Sequence, residues 1–284
     1  LKAKKSLGQN FLVDQNIIAR IVGHVAPKSD ELIIEIGPGH GILTEALLEK
    51  AGKVVAIEID SELLQELKIT LPQNNLELIL ADALDLDLEQ LIHSQLNLHP
   101  ELKKKVRIVA NLPYYISTAI LTRLLSASDL IQDMTLMLQR EVAERIASTA
   151  GGKDYGILSV ISQLYADTRV LFPVKAGSFR PIPKVESAIL QLKVYPQPLV
   201  EVLDRNLFVK VVCAAFSERR KTILNSLKSN YKTIDSKLEP SQIPIILEQA
   251  NIVLTRRAET LSSKEFALLA NTFYQYAKNT AHNL

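Results

Sequence analysis

From Glu31 onward the chain alternates short, unbroken apolar runs with amphipathic stretches. ELIIEIG (31–37), KVVAIEID (53–60), LELILADAL (76–84) and VRIVANLPYY (106–115) read as strands, the first of them a buried one. GILTEALLEKA (41–51) and SELLQELKITL (61–71) repeat apolar side chains every three or four positions, which predicts helices. DMTLMLQREVAERI (133–146) reads as a fifth strand running into a helix. Strands separated by helical segments argue for βαβ units and a mostly parallel sheet. TRVLFPV (168–174) and SAILQLKVY (187–195) have only a Gly/Pro-rich loop between them and predict an antiparallel pair at the sheet edge. Pro196 and Pro198 then break any regular element, placing a domain boundary between 195 and 196. Beyond it, Leu207, Phe208, Val211, Val212, Ala215 and Phe216 fall at helical spacing and no strand-like run follows. The pattern predicts an α/β, Rossmann-like domain over 1–195 and a small all-α domain over 196–284.

Composition adds limits. Of 284 residues, 47% are hydrophobic and 23% charged, ordinary for a protein with a real core. No apolar run approaches the roughly 20 residues that span a bilayer, and no apolar signal core follows the basic N-terminus, so no membrane partner is expected. The single cysteine, Cys213, excludes an internal disulfide; its run VVCAAF predicts a buried small hydrophobe. A reducing, cytoplasmic-type compartment is expected, or an organelle matrix. The chain starts at Leu1 rather than methionine, leaving room for residues upstream. Net charge is only +2, but residues 201–284 carry 12 Lys and Arg against 8 Asp and Glu. That asymmetry points to a polyanionic partner.

The first strand ends in EIGPGHG, Glu35 to Gly41. A glycine turn between strand and helix lets a ligand approach the backbone, at the strand end where open α/β sheets bind ligands. A dinucleotide oxidoreductase would need a third glycine where Ile42 stands. The E-x-G-x-G-x-G pattern of S-adenosylmethionine (SAM) methyltransferases is matched throughout. Glu58 closes the second strand, where a carboxylate can accept both ribose hydroxyls. Asp82 closes the third and can accept from the exocyclic amine of adenine. No metal site is expected.

Asn111-Leu-Pro-Tyr114 follows the fourth strand, on the same sheet edge. The Asn111 side-chain oxygen and the Leu112 carbonyl, bared by the turn into Pro113, suit the two N–H groups of a nucleobase amine. Held that way, the nitrogen aims its lone pair at a methyl group. Tyr114 offers a face for the base to stack on, an interaction of about 1–3 kcal/mol. The base would be an adenine or a cytosine, and one inside folded RNA or DNA would have to be unstacked to arrive. Tyr115 is expected to be plain packing.

KKSLGQNFLVDQNI (4–17), EIGPGHGILTEALL, NLPYYIST and FRPIPKVESAIL (179–190), with SERRKTILNSL and RRAETLS nearer the C-terminus, resemble the small-subunit ribosomal RNA adenine N6,N6-dimethyltransferases of the KsgA type. They occur in that family's order across nearly the whole chain. The resemblance implies a class I SAM-dependent methyltransferase fold with an appended helical domain. It implies SAM contacts at Asn10, Leu12, Gly37, Glu58, Asp82 and Asn111, with the segment GQNFLVDQ (8–15) folded over the cofactor. It also gives Phe179 a role as a second ring opposite Tyr114. Tyr115 and Ala258 depart from residues common in the family. The implied substrate is a pair of adjacent adenosines in a hairpin near the 3′ end of small-subunit rRNA, in a partly assembled 30S subunit.

Phosphate contacts are assigned to Lys2, Lys4, Lys5, Arg219, Arg220, Lys221, Arg256 and Arg257. A monomer is expected. Two readings compete: a large-subunit (23S) relative of the macrolide-resistance type, and a non-catalytic RNA-binding assembly or transcription factor on the same fold.

Overall fold

The computed structural model describes residues 3–4 and 7–281. In chain order the elements are β1 (Phe11–Leu12), α1 (Gln15–Val25), β2 (Leu32–Ile36), α2 (Ile42–Leu48), β3 (Lys53–Glu58), α3 (Ser61–Thr70), β4 (Leu76–Leu80), α4 (Leu88–Leu98), β5 (Val106–Asn111), α5 (Ser117–Ser126), β6 (Ile131–Gln139) and α6 (Arg140–Ile146). There follow α7 (Ile157–Tyr165), β7 (Ala166–Val174), β8 (Phe179–Arg180), β9 (Ser187–Val194), α8 (Arg205–Phe216), α9 (Ile223–Ser229), α10 (Tyr231–Ile234), α11 (Ile243–Gln249) and α12 (Ser263–Ala281).

Seven strands form one sheet in the order β4-β3-β2-β5-β6-β9-β7. β2 pairs parallel to β3 and to β5, and β6 runs parallel to β5. β9 is antiparallel to β6, with Leu136 opposite Leu190. The two late runs therefore sit side by side at the sheet edge, β9 inside β7. Every residue of β2 is buried, as its unbroken apolar run requires. α1 starts where Asp14 accepts from the Asn16 and Ile17 N–H groups, and it turns Ile18, Ile21, Val22 and Val25 inward. These pack with Leu47, Val54, Val109 and Phe172 in the core on one face of the sheet. Strand order reverses between β2 and β5, so the crevice at this switch point opens at the ends carrying Gly37 and Asn111.

The chain divides into two compact units. The first comprises 1–143 and 167–196; the second comprises 144–166 and 197–284. A single cut at 195/196 misses 144–166, because α7 is a helix whose neighbours α8 and α12 lie far along the sequence. In the second unit α8 buries Phe208, Val211, Val212 and Ala215, and Phe216 stacks on Phe266 at 5.6 Å. Cys213, expected inside, is exposed. It lies on the helix face opposite that buried stripe, so the apolar run around it is not buried all round. Among the described residues, no helix is long and apolar enough to cross a membrane, and no group of three or more His, Cys, Asp or Glu is arranged to hold a metal ion.

Candidate active site

A cavity of about 220 Å³ opens at the carboxyl ends of β2, β3, β4 and β5, wholly within the first unit. Gly37 and Gly39 line it with φ of 72° and 59°. A Cβ on Gly39 would stand 2.9 Å from the Phe11 ring, so only glycine fits beneath that ring.

Glu58 reaches the same wall, 5% exposed. Its Oε2 accepts from the Gly39 N–H at 3.3 Å and its Oε1 from the Asp60 N–H at 2.9 Å. Burial pushes its pKa up; the Asp60 and Gly39 N–H groups oppose that, and the Asp60 charge adds to it. Glu35 is 2% exposed and its Oε2 has no partner among the described residues. It lies against a smaller cavity of about 40 Å³ bordered by Phe11, Gly37, His40 and Asn111. Burial pushes its pKa up to about 7. The Thr44 hydroxyl opposes from a geometry short of a full hydrogen bond, and the Glu58 charge adds to the rise. Asp82 lines the main cavity with Oδ1 accepting from Leu84 N–H at 2.8 Å. Ile57, Ile59, Leu84 and Ile120 supply apolar walls.

The Asn-Leu-Pro-Tyr turn closes the other side. Asn111 Nδ2 donates to the Asn10 carbonyl at 3.1 Å. Only the nitrogen of the amide can make that bond, so the orientation is fixed and Oδ1 stays open to a donor. Among the described residues, no donor meets the Leu112 carbonyl, while the neighbouring Pro113 and Tyr114 carbonyls accept from Ile116 N–H and Ser117 Oγ. Tyr114 lines the cavity and bonds Ser187 Oγ at 2.6 Å; burial raises its pKa, with Ser187 opposing. Tyr115 also lines the cavity, 63% exposed, its ring over the Gly8 backbone.

Asn10, Gly37, Glu58, Asp82, Asn111, Leu112, Pro113 and Tyr114 thus converge on one cavity. Leu12 does not line it. Its side chain joins the core and borders only the smaller cavity. Phe179, expected opposite Tyr114, also lies outside this lining: it is 0% exposed, β8 pairs it with Leu12, and its ring joins the core. Gln9 and Phe11, inside the segment expected to fold over the cofactor but not singled out as contacts, line the cavity too. Ile57 and Ile59, one position either side of Glu58, could have been read from the AIEID alternation.

In the second unit the assigned cations divide. Arg219 bonds the Glu259 carboxylate at 3.4 Å and the Lys153 carbonyl, and Lys221 pairs with Glu218 at 2.5 Å. Arg256 holds Glu265 and the Thr260 carbonyl; burial would raise the Glu265 pKa, but that guanidinium together with the Ser262 N–H and hydroxyl outweighs it and keeps the carboxyl low. Arg220 and Arg257 are exposed, with no ion pair among the described residues. Lys4 bonds Asp60 in the first unit; Lys2 and Lys5 lie outside the described residues.

A profile of the family described as ribosomal RNA adenine dimethylase matches residues 1–268. A protein from Shouchella clausii named ribosomal RNA small subunit methyltransferase A is 44% identical over 272 residues, 95% of this chain and 90% of that protein. One of the same name from Oceanobacillus iheyensis is 43% identical over 274 residues, 96% and 91% of the two chains. Among solved structures, a dimethyladenosine transferase from Plasmodium falciparum superposes with a TM-score of 0.74 at 28% identity, covering 93% of this chain and 98% of that one. The 23S rRNA methyltransferase ErmE gives 0.65 at 27%, covering 94% and 100%. With its family profile matched over residues 1–268 and relatives 43–44% identical over nearly its whole length, the chain belongs to the ribosomal RNA adenine dimethylase family of methyltransferase enzymes.

Proposed function

We propose that the protein transfers methyl groups from SAM to the N6 amines of two adjacent adenosines near the 3′ end of small-subunit rRNA. It acts as a cytoplasmic monomer on a partly assembled 30S subunit. The observation that carries this reading is the pinned Asn111 amide beside the Leu112 carbonyl, which no donor meets among the described residues. Those two acceptors suit the N–H groups of one exocyclic amine.

The cavity fits the cofactor on its own chemistry. Glu58, steadied by two backbone N–H groups, has lone pairs left for ribose hydroxyls. Asp82 keeps one oxygen for the adenine amine between apolar walls. The unpartnered Glu35 oxygen suits a cationic group at the amino-acid end. When bound, SAM supplies an electrophilic methyl on a sulfonium. The protein's part is positioning: Asn111 and Leu112 draw the amine toward tetrahedral geometry, and Tyr114, tethered by Ser187, offers the base a fixed face. Exposed Arg220 and Arg257 suit phosphates, whereas Arg219 is tied to the distant Glu259 and Lys153 and Arg256 to the nearby Thr260 and Glu265.

The test is to incubate the protein with radiolabelled SAM and subunits lacking the dimethyladenosines, then map the label. Label on adjacent adenosines near the 3′ end of small-subunit rRNA is expected. Label on large-subunit rRNA would move the chain to the resistance-type relatives. SAM binding without label would favour the non-catalytic factor.

A further inference from the structure

Asp60 lies two residues beyond Glu58, 3% exposed, and does not line the cavity. All its groups are nevertheless engaged. Its N–H donates to Glu58 Oε1 at 2.9 Å. Its Oδ1 caps α3 by accepting from Glu62 N–H at 3.1 Å, and takes the Lys4 ammonium at 2.8 Å. Its Oδ2 accepts from Gln9 Nε2 at 3.0 Å, while Gln9 Oε1 accepts from the Lys4 N–H at 2.7 Å. A helix cap needs one carboxylate oxygen; this residue commits the second to the N-terminal segment.

That segment, Leu7 to Phe11, forms one wall of the cavity. It is tied down by the Asn10 carbonyl to Asn111, by Phe11 against His40 at 4.4 Å, and by pairing of β1 with β8. Those ties sit over β2, β5 and β8. Asp60 supplies the tie over β3, where the ribose-binding acid lies.

We propose that Asp60 is a positioning residue for the cofactor: through Gln9 and Lys4 it holds the Leu7–Leu12 strap against the cavity, while its own N–H aims Glu58. The strap and the Glu58 carboxylate are set by one side chain and its backbone, so loosening it shortens the stay of a bound nucleoside. This rests on the SAM reading. The Lys4 side chain is partly exposed, 36% against 2% for the Asp60 side chain, so salt weakens the tie.

The probe is S-adenosylhomocysteine, net neutral, so its own release responds little to salt. Stopped-flow release from the full chain is followed at low and moderate salt, with hydrogen exchange of the ligand-free protein in parallel. Lys4→Met leaves the cap and cavity lining intact. It is expected to speed release about 2- to 5-fold at low salt, to flatten the salt dependence, and to hasten exchange at Gly8–Phe11 with α3 unchanged. Asp60→Asn keeps a competent cap and is expected to speed release about tenfold. Unchanged exchange at Gly8–Phe11 and unchanged release in both variants overturn the proposal. So does loosening of α3 alone, which would make Asp60 only a cap. A wild-type chain that binds no S-adenosylhomocysteine removes the cofactor reading and this role with it, while the exchange data still report on the strap.

Discussion

The two ends of one sheet bury charge in opposite ways. At the amino ends of β2, β5 and β6, Arg107 donates through Nε to both Asp133 oxygens at 3.0 Å and through Nη1 to Glu31 at 3.0 Å. Lys103 adds a bond to Glu31 at 2.9 Å. Burial alone would raise the Glu31 pKa, but Lys103 and Arg107 outweigh it and hold the carboxyl below the usual range. At the carboxyl ends, Glu35 and Glu58 are as buried, yet no cation pairs with either among the described residues and both pKa values are raised. Charge that serves the fold is neutralised within it. The carboxylates at the other end are left desolvated and partly unsatisfied, at a cost in stability that a ligand bound there would offset.

The largest effect should come from breaking the paired end. Arg107→Leu leaves Glu31 and Asp133 buried without their guanidinium and should lower unfolding free energy by about 3–5 kcal/mol in urea titrations. A loss under 1 kcal/mol would mean that water already reaches these acids. Asn111→Ala should lower methyl transfer by about 10²- to 10³-fold while SAM affinity changes far less, read by single turnover beside calorimetry. Equal losses in both would remove the amine contact.

Glu35 sharpens the contrast through pH. An acid with a raised folded pKa stabilises the fold while protonated and loses that contribution as pH rises. The window runs from about 4.5 to about 7, and the loss amounts to about 3 kcal/mol. Glu35→Gln should abolish that fall and make the ligand-free protein more stable at pH 8. An unchanged stability–pH profile would place water against the carboxylate. Glu31 has the opposite sign: its contribution is present above the ordinary carboxylate pKa and is lost as pH falls through its depressed folded value. Glu58→Gln should weaken SAM about tenfold by calorimetry, with stability at pH 7 little changed; unchanged affinity would end the ribose role. Lys103→Met is the smallest change, under about 1 kcal/mol, because its ammonium is 36% exposed and screened.

Much of this was legible in the residues. The buried strands, the glycine turn and the acids at successive strand ends follow from local pattern, because period and turn chemistry are properties of adjacent residues. Asn111 and Leu112 were legible as acceptors, since a turn into proline bares a carbonyl whatever surrounds it. The burial of Phe179 was not, because pairing of β8 with β1 joins segments about 170 residues apart. Nor was the separation of Arg220 and Arg257 from Arg219 and Arg256, which depends on where Glu259 and Glu265 fall in space.

By itself, the sequence determined the αβ alternation, the glycine turn at the end of β2 and the acceptors of the Asn-Leu-Pro-Tyr turn. Tertiary structure decided which buried charges were cancelled and which were left waiting. It also carried 144–166 into the helical unit and pinned the Asn111 amide with Asn10. The reason is physical. Hydrogen-bond satisfaction and desolvation belong to a group's whole surroundings, and those surroundings exist only once distant segments have packed.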